Sequence, residues 1–170
     1  AAAIDSVLPS GKYTLGPVLE KFEAEFAAYC GAKYCIGISN GTEALHLALA
    51  AMGIGRGDEV ITQANTYVAT SFAINYLSAT PVFVDIETEF TNLDVSKLEA
   101  KITEHTKAII PVHLGAVMSD MDAIMEIAGK HDLVVIEDCA HKHGGEWKGK
   151  KAGSIGDIGS FSFQLSKLMT

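Results

Sequence analysis

Apolar positions along the chain switch repeatedly between two rhythms: short continuous runs, and stretches with helical spacing. Residues 17–29 carry Val18, Phe22, Phe26 and Tyr29 at helical spacing, with Pro17 suited to a first turn. The run 34–39 is short and apolar and predicts a buried strand. Residues 42–52 are apolar on nearly every side, which predicts a helix packed on both faces and stopped by Gly53, Gly55 and Gly57. Val60-Ile61-Thr62 reads as a strand, 66–77 as a helix and 81–85 as a strand. Asp94 is placed to cap a helix running to about Ile102, and 107–112 follows as a strand. Asp120 or Asp122 opens a helix to about Lys130. Strands over 133–137 and 158–163 complete the pattern.

Strands that alternate with helices call for right-handed crossovers and a mostly parallel sheet. Continuously apolar strands imply that the sheet is covered on both faces. The expected class is therefore α/β, with three αβα layers. No internal repeat, low-complexity tract or Pro-rich linker interrupts it. Sheets of this kind bind ligands beyond the carboxyl ends of their strands. Asn40-Gly41-Thr42, Asp138 and the stretch from Ser162 to Lys167 all fall at or just past strand ends. Three separate segments are thus expected to converge on one crevice.

Composition narrows the classes. With 170 residues, one domain with a real core is expected. Hydrophobic residues make up 48% and the mean hydropathy is +0.22, which argues against disorder. The net charge of −8, without a basic block, speaks against nucleic acid and anionic membranes as partners. No apolar run approaches the ~18 residues that span a bilayer, and the N-terminal run Ala1-Ala2-Ala3-Ile4-Asp5 lacks a basic leader. Cys30, Cys35 and Cys139 show no metal-type spacing, and an odd count leaves one unpaired, so reduced thiols and a cytoplasmic location are expected. Asn40-Gly41-Thr42 fits a glycosylation sequon, but no secretion signal accompanies it.

The strand ends carry the candidate chemistry. Gly41-Thr42 follows a strand-like run and opens a helix, where free amides and the helix dipole favour an anion. The plainer reading is an Asn-Gly turn with Thr42 near a cap. Asp138 ends the apolar run from Val134. A carboxylate there can hold a pyridine nitrogen protonated and keep the ring an electron sink, or simply bond a neighbouring loop. Lys167 follows the aromatic pair Phe161 and Phe163, which can form a dry wall around an imine-forming amine. Alternatively it is a solvated lysine. Cys139, His141 and His143 resemble a metal set, but no matching ligand pair occurs elsewhere and Lys142 lies among them. His113 reads as a strand-end or pocket histidine. No Gly-x-Gly-x-x-Gly follows the first strand, which argues against a Rossmann nucleotide site.

Together, in order, several motifs resemble the DegT/DnrJ/EryC1/StrS sugar aminotransferases. These are Thr14-Leu15-Gly16-Pro17, Ser39-Asn40-Gly41-Thr42-Glu43-Ala44-Leu45, Pro111-Val112-His113-Leu114, Asp120-Met121-Asp122, Glu137-Asp138-Cys139-Ala140-His141 and Phe161-Ser162-Phe163 through Lys167. The resemblance implies the large domain of the aspartate aminotransferase fold type I, acting as a homodimer with pyridoxal 5′-phosphate. It implies an N-terminal arm over 1–15 and a cofactor-binding large domain over 16–170. That domain is expected to be truncated: family members continue past the lysine with a further strand and a C-terminal small domain.

Residue by residue, Lys167 matches the Schiff-base lysine, and Asp138 the acid on the pyridine nitrogen. His141 matches the position near the phenolic oxygen. Gly41, Thr42 and Ser162 match phosphate contacts, and Tyr67 the aromatic stacked on the ring. The implied reaction moves an amino group from glutamate or glutamine to a keto-sugar, often nucleotide-linked. Alternatives within the family are a cyclitol aminotransferase or a 3-amino-5-hydroxybenzoate synthase. A sugar dehydratase on the same scaffold replaces the lysine with histidine, which Lys167 opposes. A truncated chain without catalysis of its own is the non-enzymatic alternative.

Overall fold

The computed structural model describes residues 2–115 and 117–169. Ala1, Ala116 and Thr170, which belong to the N-terminal run, the 111–122 segment and the C-terminal motif, lie outside the described residues. The described chain forms two compact units, one ending at Gly37 and one beginning at Ile38.

The first unit holds helix α1 (Ala2–Val7), a short 3-10 turn over Leu8–Ser10 and helix α2 (Pro17–Cys30). Pro17 stands in the first turn of α2, where its missing N–H costs nothing. Gly31 closes the helix in the left-handed region at φ 74°, its N–H reaching the Ala27 and Ala28 carbonyls. Phe22 stacks on Phe26 at 5.6 Å, the i,i+4 contact that the helical spacing implied. The strand expected over 34–39 does not form. Tyr34 and Ile36 are 73% and 76% exposed, and no strand ladder reaches these residues among the described ones. An apolar run supplies side chains for a buried strand, but a strand exists only where a neighbour takes up its backbone groups.

The second unit is built on a parallel sheet. Helix α3 (Gly41–Ala51) is followed by strand β1 (Glu59–Gln63), helix α4 (Ala69–Tyr76) and strand β2 (Thr80–Val84). The short helix α5 (Val95–Leu98), extended by a 3-10 turn, leads to strand β3 (Thr106–Ile110). Helix α6 (Met121–His131) and strand β4 (Val134–Asp138) follow. A small antiparallel hairpin, β5 (Glu146–Trp147) and β6 (Lys150–Lys151), precedes strand β7 (Ile158–Ser160). The main sheet runs β2-β1-β3-β4-β7 with every pair parallel.

Alternate residues of the central strands bury on opposite faces. Val60, Ala108, Ile110 and Ile136 pack with Leu45, Ala48 and Leu49 of α3 and with Ala73 and Ile74 of α4. Ile61, Ile109 and Val135 pack on the other face with Leu98 of α5 and with Met121, Ile124 and Ala128 of α6. Each such fully buried aliphatic side chain stabilises the fold by about 1.5–3 kcal/mol. The result is a three-layer α/β architecture.

Several boundaries differ from the sequence pattern. Helix α3 buries one face only, because Leu47 remains 43% exposed. Helix α4 begins at Ala69, since Thr66 to Val68 form its lead-in turn and the Thr70 N–H bonds the Tyr67 carbonyl at 3.1 Å. Strand β7 ends at Ser160, whose carbonyl accepts the Cys139 N–H at 2.8 Å as the chain leaves the ladder. The caps behave as their chemistry dictates: Asp94 accepts from Ser96 N and Asp120 from Ala123 N. The hairpin had no sequence forecast. Its turn residues Lys148 and Gly149 take φ 48° and 83°, the sign a two-residue hairpin turn requires.

Candidate active site

The candidate residues all belong to the second unit, and its topology brings them to the carboxyl end of the sheet. At the start of α3, the Asn40 side chain accepts the Glu43 N–H at 2.9 Å and the Asn40 carbonyl accepts the Ala44 N–H at 3.0 Å. The amides of Gly41 and Thr42 lie in the first turn, where a helix offers them no internal acceptor. Ser162 sits directly against Gly41. A Cβ placed on Gly41 stands 2.9 Å from the Ser162 Cβ and 3.4 Å from its hydroxyl, so only glycine allows this approach. The start of α3 and the exit from β7 therefore meet, with Gly41 against Ser162.

Asp138 closes β4 and pairs in register with Ser160 of β7. It is 6% exposed. Oδ2 accepts the Thr70 hydroxyl at 3.0 Å and Oδ1 accepts the Ala140 N–H at 3.1 Å. No lysine or arginine bonds it among the described residues, and burial pushes its carboxyl above the usual Asp range against those two donors. The fields of His113 and His141 act with those donors toward the charged form. Thr70, missed in the sequence, is 1% exposed and also meets the Thr66 hydroxyl at 2.9 Å. The i,i+4 threonine spacing was its only signal. Tyr67 lies one turn ahead of Thr70 and is 73% exposed, with its ring free to cover a ligand.

Lys167 Nζ lies 2.9 Å from His141 Nε2. Partial desolvation, then repulsion from Lys167, lower the imidazole's proton affinity, while Asp138 opposes them. His141 is thus set as a neutral acceptor for the lysine's N–H. His143 packs its ring against Phe161 at 5.5 Å and Phe163 at 5.1 Å. Neither of its ring nitrogens meets a hydrogen-bond partner among the described residues, and burial lowers its proton affinity. The Ser162 backbone opposes that shift without reaching hydrogen-bond geometry. Phe161 and Phe163 thus both pack against His143.

Beneath these residues lies a fully buried node. Glu137 Oε1 accepts the Ile155 and Gly156 amides at 2.7 and 2.8 Å. Oε2 accepts the Gly153 amide at 3.0 Å and faces His113 Nε2 at 3.1 Å. The Ser119 N–H donates to His113 Nδ1 at 3.3 Å, which places the ring proton on Nε2. Burial pushes the Glu137 carboxyl up, but these donors outweigh it and hold it below the usual Glu range. Cys139 completes a trio with His113 and Glu137 whose ligand-type atoms lie within 4.8 Å of one another. Each carboxylate oxygen already carries two partners, so the trio is a hydrogen-bonded node. Lys142, buried at 7% exposure, sends its Nζ to the Gly115 carbonyl at 2.6 Å.

The family profile of the "DegT/DnrJ/EryC1/StrS aminotransferase family" matches residues 1–170. The chain belongs to the DegT/DnrJ/EryC1/StrS aminotransferase family. Within that family it is 52% identical over 157 residues to the GDP-perosamine synthase of Caulobacter vibrioides, covering 92% of this chain and 42% of that protein. Its fold is similar to S. venezuelae DesV in complex with a ketimine intermediate, with a TM-score of 0.95 and 46% identity, over 98% of this chain and 45% of that one. It is also similar to the PMP form of the putative sugar aminotransferase Spr1654 from Streptococcus pneumoniae, with a TM-score of 0.94 and 36% identity, over 98% of this chain and 46% of that one. The chain thus spans under half the length of the family members it matches. Among the described residues no helix is long and apolar enough to cross a membrane.

Proposed function

We propose that this chain forms the cofactor-holding large domain of a pyridoxal-phosphate-dependent aminotransferase. The observation that carries the reading is the gathering of three chemically distinct groups beyond the carboxyl ends of β4 and β7 and at the start of α3. Gly41 and Ser162 enclose a helix N-terminus, Asp138 is a buried acid that no lysine or arginine bonds among the described residues, and Lys167 Nζ stands 2.9 Å from His141. These groups fit the three polar parts of pyridoxal 5′-phosphate: an anionic phosphate, a protonable ring nitrogen, and a carbonyl beside a phenolic oxygen. The names of the similar proteins support this assignment.

Each side chain then has a task. The Gly41 and Thr42 amides and the Ser162 hydroxyl hold the phosphate, where the helix dipole adds about 0.3–1 kcal/mol. Asp138, its carboxylate oriented by Thr70, would take the ring nitrogen and keep it protonated. Tyr67 covers the ring. His141 orients Lys167, the amine that would attach to the cofactor, and would lie by its phenolic oxygen. When bound, the cofactor supplies an electron sink and an amino carrier. As a free amine, Lys167 Nζ would hold and move the proton taken from the substrate's α-carbon.

The donor in this reading is glutamate or glutamine, and the acceptor a keto-sugar, often nucleotide-linked. The complete enzyme acts in the cytoplasm as a homodimer. The test is transfer of the labelled amino nitrogen from glutamate and from glutamine to a nucleotide-linked keto-sugar, followed by product mass, with the full-length protein. Labelled amino-sugar from the wild type and none from Lys167→Ala supports the reading. Wild-type protein that yields none, or a Lys167→Ala variant that yields as much, refutes it.

A further inference from the structure

We infer that Glu137 is a positioning residue for the phosphate end of the site, although it does not line the site itself. This rests on the cofactor assignment above. Glu137 precedes Asp138 on β4 and, being fully buried, has no direct access to a ligand. Its two oxygens gather the amides of Gly153, Ile155 and Gly156, which lie in the connection that delivers β7. That connection packs directly against β7 and the residue that follows it, Phe161. A Cβ on Gly153 would stand 2.5 Å from the Phe161 ring, so the loop's height fixes where Phe161 lies. Phe161 is joined to Ser162, and Ser162 meets Gly41 at the helix N-terminus. Ser160, at the same strand end, reaches the Gly41 carbonyl with its hydroxyl at 3.5 Å.

The carboxylate thus links loop, strand exit and helix start in one chain of contacts: Glu137, Gly153, Phe161, Ser162, Gly41. His113 fixes the fourth lone pair and keeps the carboxylate from rotating. Glutamine has the same shape but replaces one acceptor oxygen with a donor amide. Placed against two or more inward-pointing N–H groups, it forces the 153–156 loop to shift. Ser162 then moves relative to the Gly41 and Thr42 amides, while Asp138, Thr70 and Lys167 keep their own bonds.

The experiment compares binding of pyridoxal 5′-phosphate with binding of pyridoxal, which lacks the phosphate, by the full-length protein. Glu137→Gln is expected to weaken pyridoxal 5′-phosphate binding at least tenfold and pyridoxal binding less than twofold. Asp94→Ala, which removes the α5 cap instead, serves as a destabilised control and is expected to leave the preference for the phosphate intact. Equal weakening of both compounds by Glu137→Gln, or no change in either, overturns the inference. Where Glu137→Gln gives no folded protein, Gly153→Ala disturbs the same chain from the Phe161 side and is read by the same preference. Wild-type protein that does not prefer the phosphorylated compound counts against the cofactor assignment, whereas a preference that survives these variants counts against Glu137 alone.

Discussion

Thr70→Val tests the link between the buried acid and the rest of the site. Thr70 is 1% exposed, and its hydroxyl donates to Asp138 Oδ2 at 3.0 Å. Valine keeps the shape, so the substitution removes the hydrogen bond without opening a cavity. Its cost depends on the charge of Asp138. In the unloaded protein burial favours the neutral carboxyl, and a neutral hydrogen bond contributes about 0.5–1.5 kcal/mol. With a pyridinium beside it the carboxylate is charged, and the same bond contributes about 1.5–3 kcal/mol. The difference, about 1–1.5 kcal/mol, falls on cofactor binding and corresponds to about a five- to tenfold weaker Kd. Equilibrium binding of pyridoxal 5′-phosphate, followed by protein fluorescence, measures it. Thr70→Ser keeps the hydroxyl and should bind within about twofold of wild type by the same reasoning. Wild-type affinity in Thr70→Val would refute the argument, as would an equal loss in Thr70→Ser, which would assign the effect to the lost methyl group.

Gly41→Ala places a Cβ 2.9 Å from the Ser162 Cβ, an overpacking of about 1–3 kcal/mol that should weaken pyridoxal 5′-phosphate binding far more than it lowers the Tm. Because the fold raises the proton affinity of Asp138, its contribution to unloaded-state stability is complete below the ordinary Asp range and declines as pH rises through the raised value. Asp138→Asn removes that decline, so thermal unfolding from about pH 4 to 8 should show an unloaded variant gaining on wild type as pH rises, while cofactor binding falls. Glu137 has the opposite sign. Its lowered proton affinity adds stability above the ordinary Glu range that is lost as pH falls through the lowered value, and in acid titrations Glu137→Gln should flatten that loss.

The sheet was legible because each central strand is a run of apolar residues with both faces covered. Val60, Ile61, Ala108, Ile109, Ile110, Val135 and Ile136 lie on alternating faces and are all fully buried. The helix starts at Asp94 and Asp120 were legible because a side-chain cap is a local interaction. What failed was non-local. The 34–39 run has strand composition but no ladder among the described residues, and neither hydropathy nor propensity encodes the presence of a partner. The β5–β6 hairpin escaped because its strands are two residues each and three of the four are charged.

The site divided in the same way. Asp138 stood out as a carboxylate closing an apolar run, and Gly41-Thr42 as the opening of a helix. Thr70 resembles an ordinary helix residue until β4 places Asp138 against it, 68 positions away in the chain. Glu137 was visible only as the neighbour of Asp138. Its role depends on three amides of a loop that folds back beneath the strand, a contact no local pattern records.

The central claim is that Lys167 is the amine that attaches to pyridoxal 5′-phosphate. Borohydride reduction of the cofactor-treated full-length protein, followed by proteolysis and peptide mass analysis, tests it most directly. The account predicts one stable pyridoxyl-phosphate adduct on the peptide that contains Lys167, absent from Lys167→Ala. An adduct on Lys142 or another lysine in place of Lys167, or an adduct that persists in Lys167→Ala, would contradict it.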